Sequence, residues 1–313
     1  MTKLRMRLAQ IAYAARDTNI YTFTPLDGAT LPPAEAGAHI DLFLRPHLVR
    51  QYSLLQPSSA PGAYVIGVKK DVSGRGGSRY VHEQLRVGDE IEISAPRNNF
   101  PLVEDAAHSV LLAGGIGITP IWAMAQRLQA LGASWRLYAS NRSRQDTALL
   151  AELQALPNAT LHFDDESGGF LDLVAIIAAA PANTHFYCCG PAPMLAAYHA
   201  ALAHLPAQFV HDEAFTLAPP PPGGDSEFIV RLARSGREIA VGADTSILDA
   251  LRGNGVDTVS SCEAGVCGTC ETHVIEGEVD HRDHVMSADE QAENTRMMIC
   301  CSRAKSKLLV LDI

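Results

Sequence analysis

Four cysteines in the last fifth of the chain have a spacing that suits iron–sulfur chemistry. Cys262, Cys267 and Cys270 form a C-x4-C-x2-C run, and Cys300 follows downstream. This is the plant-type pattern for a [2Fe–2S] cluster held by four thiolates. Alanine and glycines within the run leave the backbone free to bend over inorganic sulfide. Zinc is the main alternative, but structural zinc sites usually pair two short cysteine motifs, and this chain has one.

The size and composition of the chain predict a multidomain cytoplasmic protein. Its 313 residues suffice for two or three domains of about 100–200 residues each. No apolar run approaches the ~18 residues of a membrane span, and the basic N-terminus lacks the apolar segment of a signal peptide. Seven cysteines, four of them in a metal pattern, fit a reducing compartment better than a disulfide framework.

The charge of the chain argues against nucleic-acid binding. Lys and Arg number 25 against 35 Asp and Glu, a formal net charge of −10, whereas nucleic-acid binding requires basic surface. Residues 226–313 alone carry 9 basic and 15 acidic side chains. This acidic segment suits docking on a basic protein partner, although acidity that only maintains solubility explains the counts equally well.

The clearest break in the chain is a proline- and glycine-rich stretch at residues 218–225. Four consecutive prolines form a stiff spacer, and two glycines add a flexible joint. We therefore predict a barrel domain over residues 1–103, a nucleotide domain over 104–217, this linker, and an iron–sulfur domain over 226–313.

The first two segments differ in their periodicity. Apolar residues alternate along short runs in residues 1–103, at Ile40/Leu42/Leu44, Tyr64/Ile66/Val68 and Ile91/Ile93, which favours a small antiparallel β-barrel. Residues 104–217 alternate strand and helix, which is typical of a doubly wound α/β domain. Strands are predicted at 109–113, 135–139 and 185–189. A helix is predicted from Thr119, as its cap, to about Leu131 before Gly132.

Two motifs in the barrel segment are each weak evidence of a binding site when taken singly. Arg50-Gln51-Tyr52-Ser53 begins a predicted strand, and side chains of this kind are also ordinary surface decoration. The loop Gly74-Arg75-Gly76-Gly77-Ser78 exposes backbone N–H groups that can hold a phosphate. A flexible hairpin tip explains the loop equally well by itself.

Two motifs in the α/β segment indicate a nucleotide site. The run from Gly114 to Pro120 follows a buried strand and opens a helix, as dinucleotide phosphate sites do. The dehydrogenase fingerprint also has an acidic residue after the second strand, but Arg142 and Arg144 stand there instead. The second motif, Cys189-Gly190-Pro191, ends a strand at the edge where α/β domains bind ligands.

Taken in order, these motifs resemble the ferredoxin–NADP reductase superfamily. The closer resemblance is to the phthalate dioxygenase reductase and vanillate O-demethylase reductase family. The matching runs include Arg50–Leu54, Gly74–Ser78, Pro96–Phe100, Ala113–Pro120, Cys189–Pro191, Glu278–Asp283 and Cys300–Ala304. The resemblance implies an antiparallel flavin barrel, a doubly wound nucleotide domain and an α+β, β-grasp ferredoxin domain. It also makes Cys300 rather than Cys301 the fourth cluster ligand.

The resemblance implies a role for individual residues. Ser53 and Cys189 would be catalytic, with Ser53 near flavin N5 and Cys189 bordering the nicotinamide. The FMN phosphate would be held by Arg50, Gly76, Gly77 and Ser78, and the isoalloxazine would lie against Tyr52, Ser53 and Phe215. Lys69 is also expected to bind cofactor. The pyridine nucleotide would contact Gly115, Gly117, Thr119, Gly190 and Pro191.

The implied reaction is hydride transfer from NADH to FMN, followed by single electrons passing through the cluster to a separate Rieske-type oxygenase. NADPH is the less favoured donor, and a FAD-dependent member is the alternative to FMN. We expect a monomer that binds neither nucleic acid nor membrane. Alternatives are a freestanding reductase of small oxidants, a reductase for a quaternary-amine monooxygenase, and a redox-sensing module.

Overall fold

The computed structural model describes residues 3–26, 28–45, 48–215 and 225–313. Contacts divide the chain into two compact units, Met1–Glu213 and Ala214–Ile313. The predicted linker lies outside the described residues except for Asp225. The predicted limits of the barrel and nucleotide domains, which share the first unit, stay predictions.

The barrel of the first unit is a six-stranded antiparallel sheet. Its strands are β1 (Lys3–Ala15), β2 (Thr18–Pro25), β3 (His39–Arg45), β4 (Leu48–Ser53), β5 (Tyr64–Lys69) and β6 (Glu90–Ser94), in the order β4-β3-β6-β1-β2-β5. A bridge between Leu54 and Ile66 joins the two edges of the sheet. The alternating apolar residues predicted from the sequence are all buried in its core. A short helix, α1 (Gly77–Glu83), follows β5.

The second half of the first unit is a five-stranded parallel sheet between helices. The strands are β7 (His108–Gly114), β8 (Trp135–Asn141), β9 (Ala159–Phe163), β10 (Thr184–Cys189) and β11 (Val210–Glu213). The helices are α2 (Ile118–Leu131), α3 (Leu150–Gln154), α4 (Asp164–Ser167), α5 (Leu173–Ala178) and α6 (Ala192–Leu202). The strand order is β11-β10-β7-β8-β9. The connection changes direction between β7 and β10, which makes their carboxyl ends the expected ligand crevice.

The start of α2 differs from the sequence prediction. Gly117, not Thr119, is the N-cap residue, because a 3-10 turn over Gly115–Gly117 runs directly into the helix. Thr119 lies in the first turn, where its hydroxyl donates to the carbonyl of Ile116 at 3.0 Å. The predicted end is confirmed: Gly132 adopts φ 65°, the left-handed conformation that terminates many helices.

The second unit is a mixed sheet packed against a helix, which is the predicted β-grasp arrangement. Its strands are β12 (Phe228–Leu232), β13 (Glu238–Val241), β14 (Glu271–Glu276), β15 (Val279–Asp280), β16 (Arg296–Met298), β17 (Arg303–Ala304) and β18 (Leu308–Leu311). The sheet order is β13-β12-β18-β14-β16, and β15 pairs separately with β17. Ile247, Leu248 and Leu251 of α7 (Ile247–Gly253) are buried in the core of this unit. The remaining helix is α8 (Ala288–Glu293).

Within the described part of the chain, no helix combines the length and the apolar character needed to span a membrane.

Candidate active site and cluster site

The carboxyl ends of β7 and β10 approach so closely that only glycine fits between them. A Cβ atom on Gly117 would collide with the carbonyl group of Cys189, and one on Gly114 would lie 2.6 Å from Pro191 Cδ. Real Cβ atoms do not approach other heavy atoms this closely. The fold therefore brings the glycine turn and the Cys189-Gly190-Pro191 segment, predicted separately from the sequence, to one crevice.

The barrel meets this crevice through β4 and β5. A Cβ atom on Gly67 in β5 would lie 2.8 Å from Thr119 Cγ2, so the barrel strand contacts the first turn of α2 directly. Ser53, the last residue of β4, donates its hydroxyl to Glu213 Oε2 at 3.4 Å. Glu213 pairs in register with Cys189 across the parallel sheet. Ser53, Cys189 and Glu213 thus share one place between the barrel and the sheet.

Both ionisable groups at this place favour their neutral forms. Burial raises the pKa of the Cys189 thiol well above its usual value, and nearby Glu213 adds to the effect. Burial also raises the pKa of the Glu213 carboxyl to about 8, although the Ser53 hydrogen bond opposes the shift. Glu213 retains some accessible surface, but surrounding protein still penalises its charge. The site consequently holds an uncharged thiol and a largely protonated carboxyl at neutral pH.

The predicted phosphate loop lies against Arg50 of β4. Gly76 has φ 81° and precedes α1, and a Cβ atom on Gly77 would lie 2.7 Å from Arg50 Nε. The guanidinium donates to the carbonyl of Arg75 at 3.0 Å, so it lies over the loop. Ser78 accepts a hydrogen bond from the Asp71 backbone at 3.0 Å. This cradle of a guanidinium and glycine backbone fits a phosphate monoester.

The other predicted flavin residues are Tyr52, Lys69 and Phe215. Tyr52 is partly buried on β4 and packs against the barrel core, and Lys69 is the last residue of β5. Phe215 belongs to the second contact unit and keeps 38% of its surface exposed. The roles of these three residues stay predictions.

The four cluster cysteines are all buried in the second unit. Backbone N–H groups of Ala264 and Val266 point at Cys262 Sγ over 3.3 and 3.5 Å, and the Cys262 N–H points at Cys267 Sγ over 3.5 Å. Such donors stabilise the negative charge of metal-bound sulfur, so the loop fits the predicted cluster. Among the described residues, no three His, Cys, Asp or Glu side chains converge on one ion-sized point. The assignment therefore rests on the spacing, the N–H donors and the family match below.

Comparison with known proteins matches two segments of the chain to family models and the whole chain to characterised relatives. Residues 230–305 match the 2Fe-2S iron-sulfur cluster binding domain, and residues 111–200 match the oxidoreductase NAD-binding domain. Tetrachlorobenzoquinone reductase of Sphingobium chlorophenolicum is 49% identical, covering 100% of this chain and 99% of its own. Phenoxybenzoate dioxygenase subunit beta of Ectopseudomonas oleovorans is 48% identical, covering 100% and 98%.

A solved structure agrees over nearly the same length. Phthalate dioxygenase reductase, described as a modular structure for electron transfer from pyridine nucleotides to [2Fe–2S], superposes with a TM-score of 0.79. It is 40% identical to this chain and the match covers 99% of this chain and 98% of its own. The chain belongs to the phthalate dioxygenase reductase family. The predicted family and fold class are both confirmed.

As a member of the phthalate dioxygenase reductase family, the chain is an NADH-dependent flavin and iron–sulfur oxidoreductase. Its cofactors are FMN and a [2Fe–2S] cluster, as predicted. When bound, FMN would supply hydride acceptance and the cluster one-electron transfer, and a neutral, enclosed site without a charged base suits the hydride step.

Sequence reasoning missed Glu213 and Arg252. Glu213 ends a four-residue strand and carries no motif, so only the parallel pairing with β10 places it beside Cys189. Arg252 of α7 forms an ion pair with Glu263, next to ligand candidate Cys262, at 2.8 Å. Sequence leaves open whether the Glu263 charge is bare, and the structure shows that it is paired.

Proposed function

We propose that this chain is the NADH-dependent reductase component of a two-component Rieske-type oxygenase system that acts on an aromatic acid or an aryl ether. The observation that carries the proposal is the continuous match of all three modules to a reductase of known structure, at 40% identity. The shared crevice of Ser53, Cys189 and Glu213 and the cysteine loop supply the two chemical stations such a reductase requires.

We assign flavin binding to the barrel residues of the first unit. Arg50, Gly76, Gly77 and Ser78 hold the FMN phosphate, because the guanidinium lies over the loop that carries the other three. The isoalloxazine lies against Tyr52 and Ser53, and Lys69 contributes a positive charge at the end of β5. These assignments follow the family pattern. They are supported by the contact of Arg50 with the glycine loop and by the position of Tyr52 and Ser53 on β4.

We assign the pyridine nucleotide to the crevice between β7 and β10. Gly115, Gly117 and Thr119 border it on one side, and Cys189, Gly190 and Pro191 border it on the other. The neutral Cys189 thiol and the protonated Glu213 carboxyl add no negative charge that would oppose arrival of a hydride. The contribution of the protein here is to orient two rings and exclude water.

The cluster ligands in this proposal are Cys262, Cys267, Cys270 and Cys300. Cys301 is partly exposed, and its Sγ lies 3.7 Å from the Met298 carbonyl, a separate contact of its own. The Glu263–Arg252 pair offsets the charge beside Cys262. We further propose that the protein is a monomer. We place it in the cytoplasm, because its cysteine usage matches a reducing compartment.

The acidic second unit favours a basic docking surface on the oxygenase. Residues 226–313 carry 15 acidic against 9 basic side chains, and complementary charge accelerates protein association. Electron delivery should therefore slow as ionic strength rises, while NADH oxidation by the flavin changes much less.

Reconstitution with a candidate oxygenase tests the proposed function. NADH consumption should be coupled to hydroxylation or demethylation of the substrate at close to one to one. A Cys267→Ser variant should still reduce its flavin with NADH but should deliver at least tenfold fewer electrons to the oxygenase. NADH oxidation that stays uncoupled with every oxygenase tried would contradict the proposal.

A freestanding quinone reductase is the second candidate, because the 49% identical relative is a tetrachlorobenzoquinone reductase. In that case halogenated quinones, which accept electrons directly, should be reduced rapidly without an oxygenase. High quinone kcat/KM with no coupled oxygenase turnover would favour this candidate. A quaternary-amine monooxygenase partner is the third possibility and is distinguished by the substrate consumed in reconstitution.

A further inference from the structure

The dehydrogenase fingerprint places an acid after the second strand of a nucleotide domain, but here the acidic residues follow the third strand. The second strand, β8, ends at Asn141 and is followed by Arg142 and Arg144. Asn141 pairs in register with Phe163, the last residue of β9. The α4 helix that follows β9 begins Asp164-Asp165-Glu166. The Asp165 backbone donates to the Arg142 carbonyl at 3.1 Å, so the two segments adjoin.

Arg144 is held by Glu166 in this arrangement. Arg144 Nε lies 2.6 Å from Glu166 Oε1, and Arg144 Nη2 lies 3.0 Å from Glu166 Oε2, a bidentate pair. The guanidinium carbon lies 4.4 Å from the centre of the Phe163 ring, so the side chain is fixed from two directions. Each partner still has about half of its side chain exposed, at 51% and 48%, and both are accessible to a ligand.

We propose that the Arg144–Glu166 pair makes this chain select NADH over NADPH. The proposal rests on the assigned nucleotide crevice, which directs the adenosine ribose to the end of β8. A 2′-phosphate requires a free arginine for bidentate recognition, and Glu166 occupies the guanidinium edge that would provide it. Glu166, with Asp164 and Asp165, also offers carboxylate acceptors suited to the ribose hydroxyls of NADH.

The local charge acts in the same direction. Asp164, Asp165 and Glu166 place three carboxylates beside the Arg144 guanidinium, and the Arg142 backbone adjoins Asp165. A 2′-phosphate would add up to two negative charges beside these three carboxylates. Binding of NADPH would thus have to break the ion pair and overcome repulsion, whereas NADH meets neither obstacle.

The test is a pair of substitutions scored by cofactor preference. Glu166→Gln keeps the side-chain shape and frees Arg144, so the ratio of NADPH to NADH kcat/KM for flavin reduction should rise at least tenfold. The double variant Glu166→Gln/Arg144→Gln should return that ratio to within threefold of the wild-type value, because the phosphate ligand is gone. Glu152→Gln, on exposed α3 of the same domain, is the matched charge control and should not change the ratio.

A binding measurement separates this proposal from the electron-transfer function. Calorimetry would measure the affinities for 2′,5′-ADP and for 5′-ADP. The ratio of the first to the second should rise at least tenfold in Glu166→Gln, whether or not the flavin is reduced. An unchanged preference in Glu166→Gln, or a gain that survives removal of Arg144, would overturn the selection mechanism. Neither result would contradict NADH oxidation or electron delivery, which the reconstitution experiment tests independently.

Discussion

Three neutral groups meet at the proposed hydride-transfer site: the Ser53 hydroxyl, the Cys189 thiol and the Glu213 carboxyl. The last two owe their protonation to burial, which penalises their charged forms. Hydride transfer from the nicotinamide to the flavin would need no protein base, so the chemistry does not call for a charged side chain at this place. In the proposed site the three residues would act by packing and orientation, and the pKa of Glu213, at about 8, lies nearest to neutral pH among them.

Glu213→Gln should change how stability depends on pH. The folded pKa of about 8 lies above the unfolded value of 4.5. Between these values the unfolded chain is ionised and the native carboxyl is protonated, so native stability falls as pH rises and levels off above about 8. The difference in melting temperature, variant minus wild type, should therefore increase from pH 5 to pH 8 and then stay constant.

Thermal unfolding from pH 5 to pH 9 provides the measurement. The exposed Glu227→Gln variant is the control, and its difference from wild type should show no rise across this interval. A pH-independent difference for Glu213→Gln would mean that the carboxyl is ionised in the native state.

At the scale of elements, glycines without a side chain allow neighbouring segments to approach closely and so position the site. The ends of β7 and β10 meet because glycine at 114 and 117 leaves no side chain between them. The same device operates in the barrel, where Gly77 at the start of α1 leaves room for the Arg50 side chain. A methyl group at either place would displace a group that the proposed cofactors require.

Gly77→Ala should weaken FMN binding and leave the fold intact. The new Cβ would collide with Arg50 Cγ and lie 2.7 Å from Arg50 Nε, so the Arg50 side chain has to move away from the loop. Loss of one charge-assisted phosphate contact corresponds to about 1.5–3 kcal/mol, which is roughly a tenfold to hundredfold rise in the FMN dissociation constant. Fluorescence titration of the apoprotein with FMN would measure it.

Gly62→Ala is the matched control, since a Cβ atom added at Gly62 would have no heavy atom within 4 Å beyond its chain neighbours. It should bind FMN as the wild type does. If Gly77→Ala retained full FMN affinity, the assignment of Arg50 to the phosphate would be wrong.

At the scale of the whole molecule, the second unit has its own core and its own anchored start. Asp225 accepts hydrogen bonds from Arg282 at 2.6 and 2.9 Å and lies 3.3 Å from Arg303 Nε. Arg303 is buried and also donates to the carbonyls of Thr245 and Gly242. The last residue of the predicted linker is therefore fastened to the domain that follows it.

A fragment of residues 225–313 should fold alone and incorporate a [2Fe–2S] cluster. Asp225→Asn in this fragment should lower the free energy of unfolding by about 2 kcal/mol, because a partly buried charged hydrogen bond is lost. The paired arginine holds the pKa of Asp225 below its ordinary value. The stabilisation that Asp225 provides should thus be complete above about pH 4, near its unfolded pKa. It should be lost as pH falls further, through the lower pKa of the folded state.

Iron and sulfide content, the visible spectrum and denaturant unfolding at pH 7 would check these expectations. The exposed Glu276→Gln variant should unfold like the parent fragment. A fragment that binds no iron would contradict independent folding of this domain with its cluster. An Asp225→Asn variant of unchanged stability would contradict the anchoring role of Asp225.

The modules, their order and the cofactors of this protein can be predicted from its sequence. The cysteine run, the Gly74–Ser78 loop and the glycine turn before α2 are contiguous segments whose spacing reflects local backbone geometry, and the alternating residues of the barrel face its core as predicted. One local detail failed, the cap of α2, because the preceding 3-10 turn took the place that Thr119 was predicted to fill. The contacts between polar side chains, in contrast, emerge only from the tertiary structure. Ser53 and Glu213 meet across 160 positions, and Arg144 and Glu166 meet through the pairing of β8 with β9. Contacts of that kind depend on strand order and on burial, and neither is encoded in the spacing of a short motif.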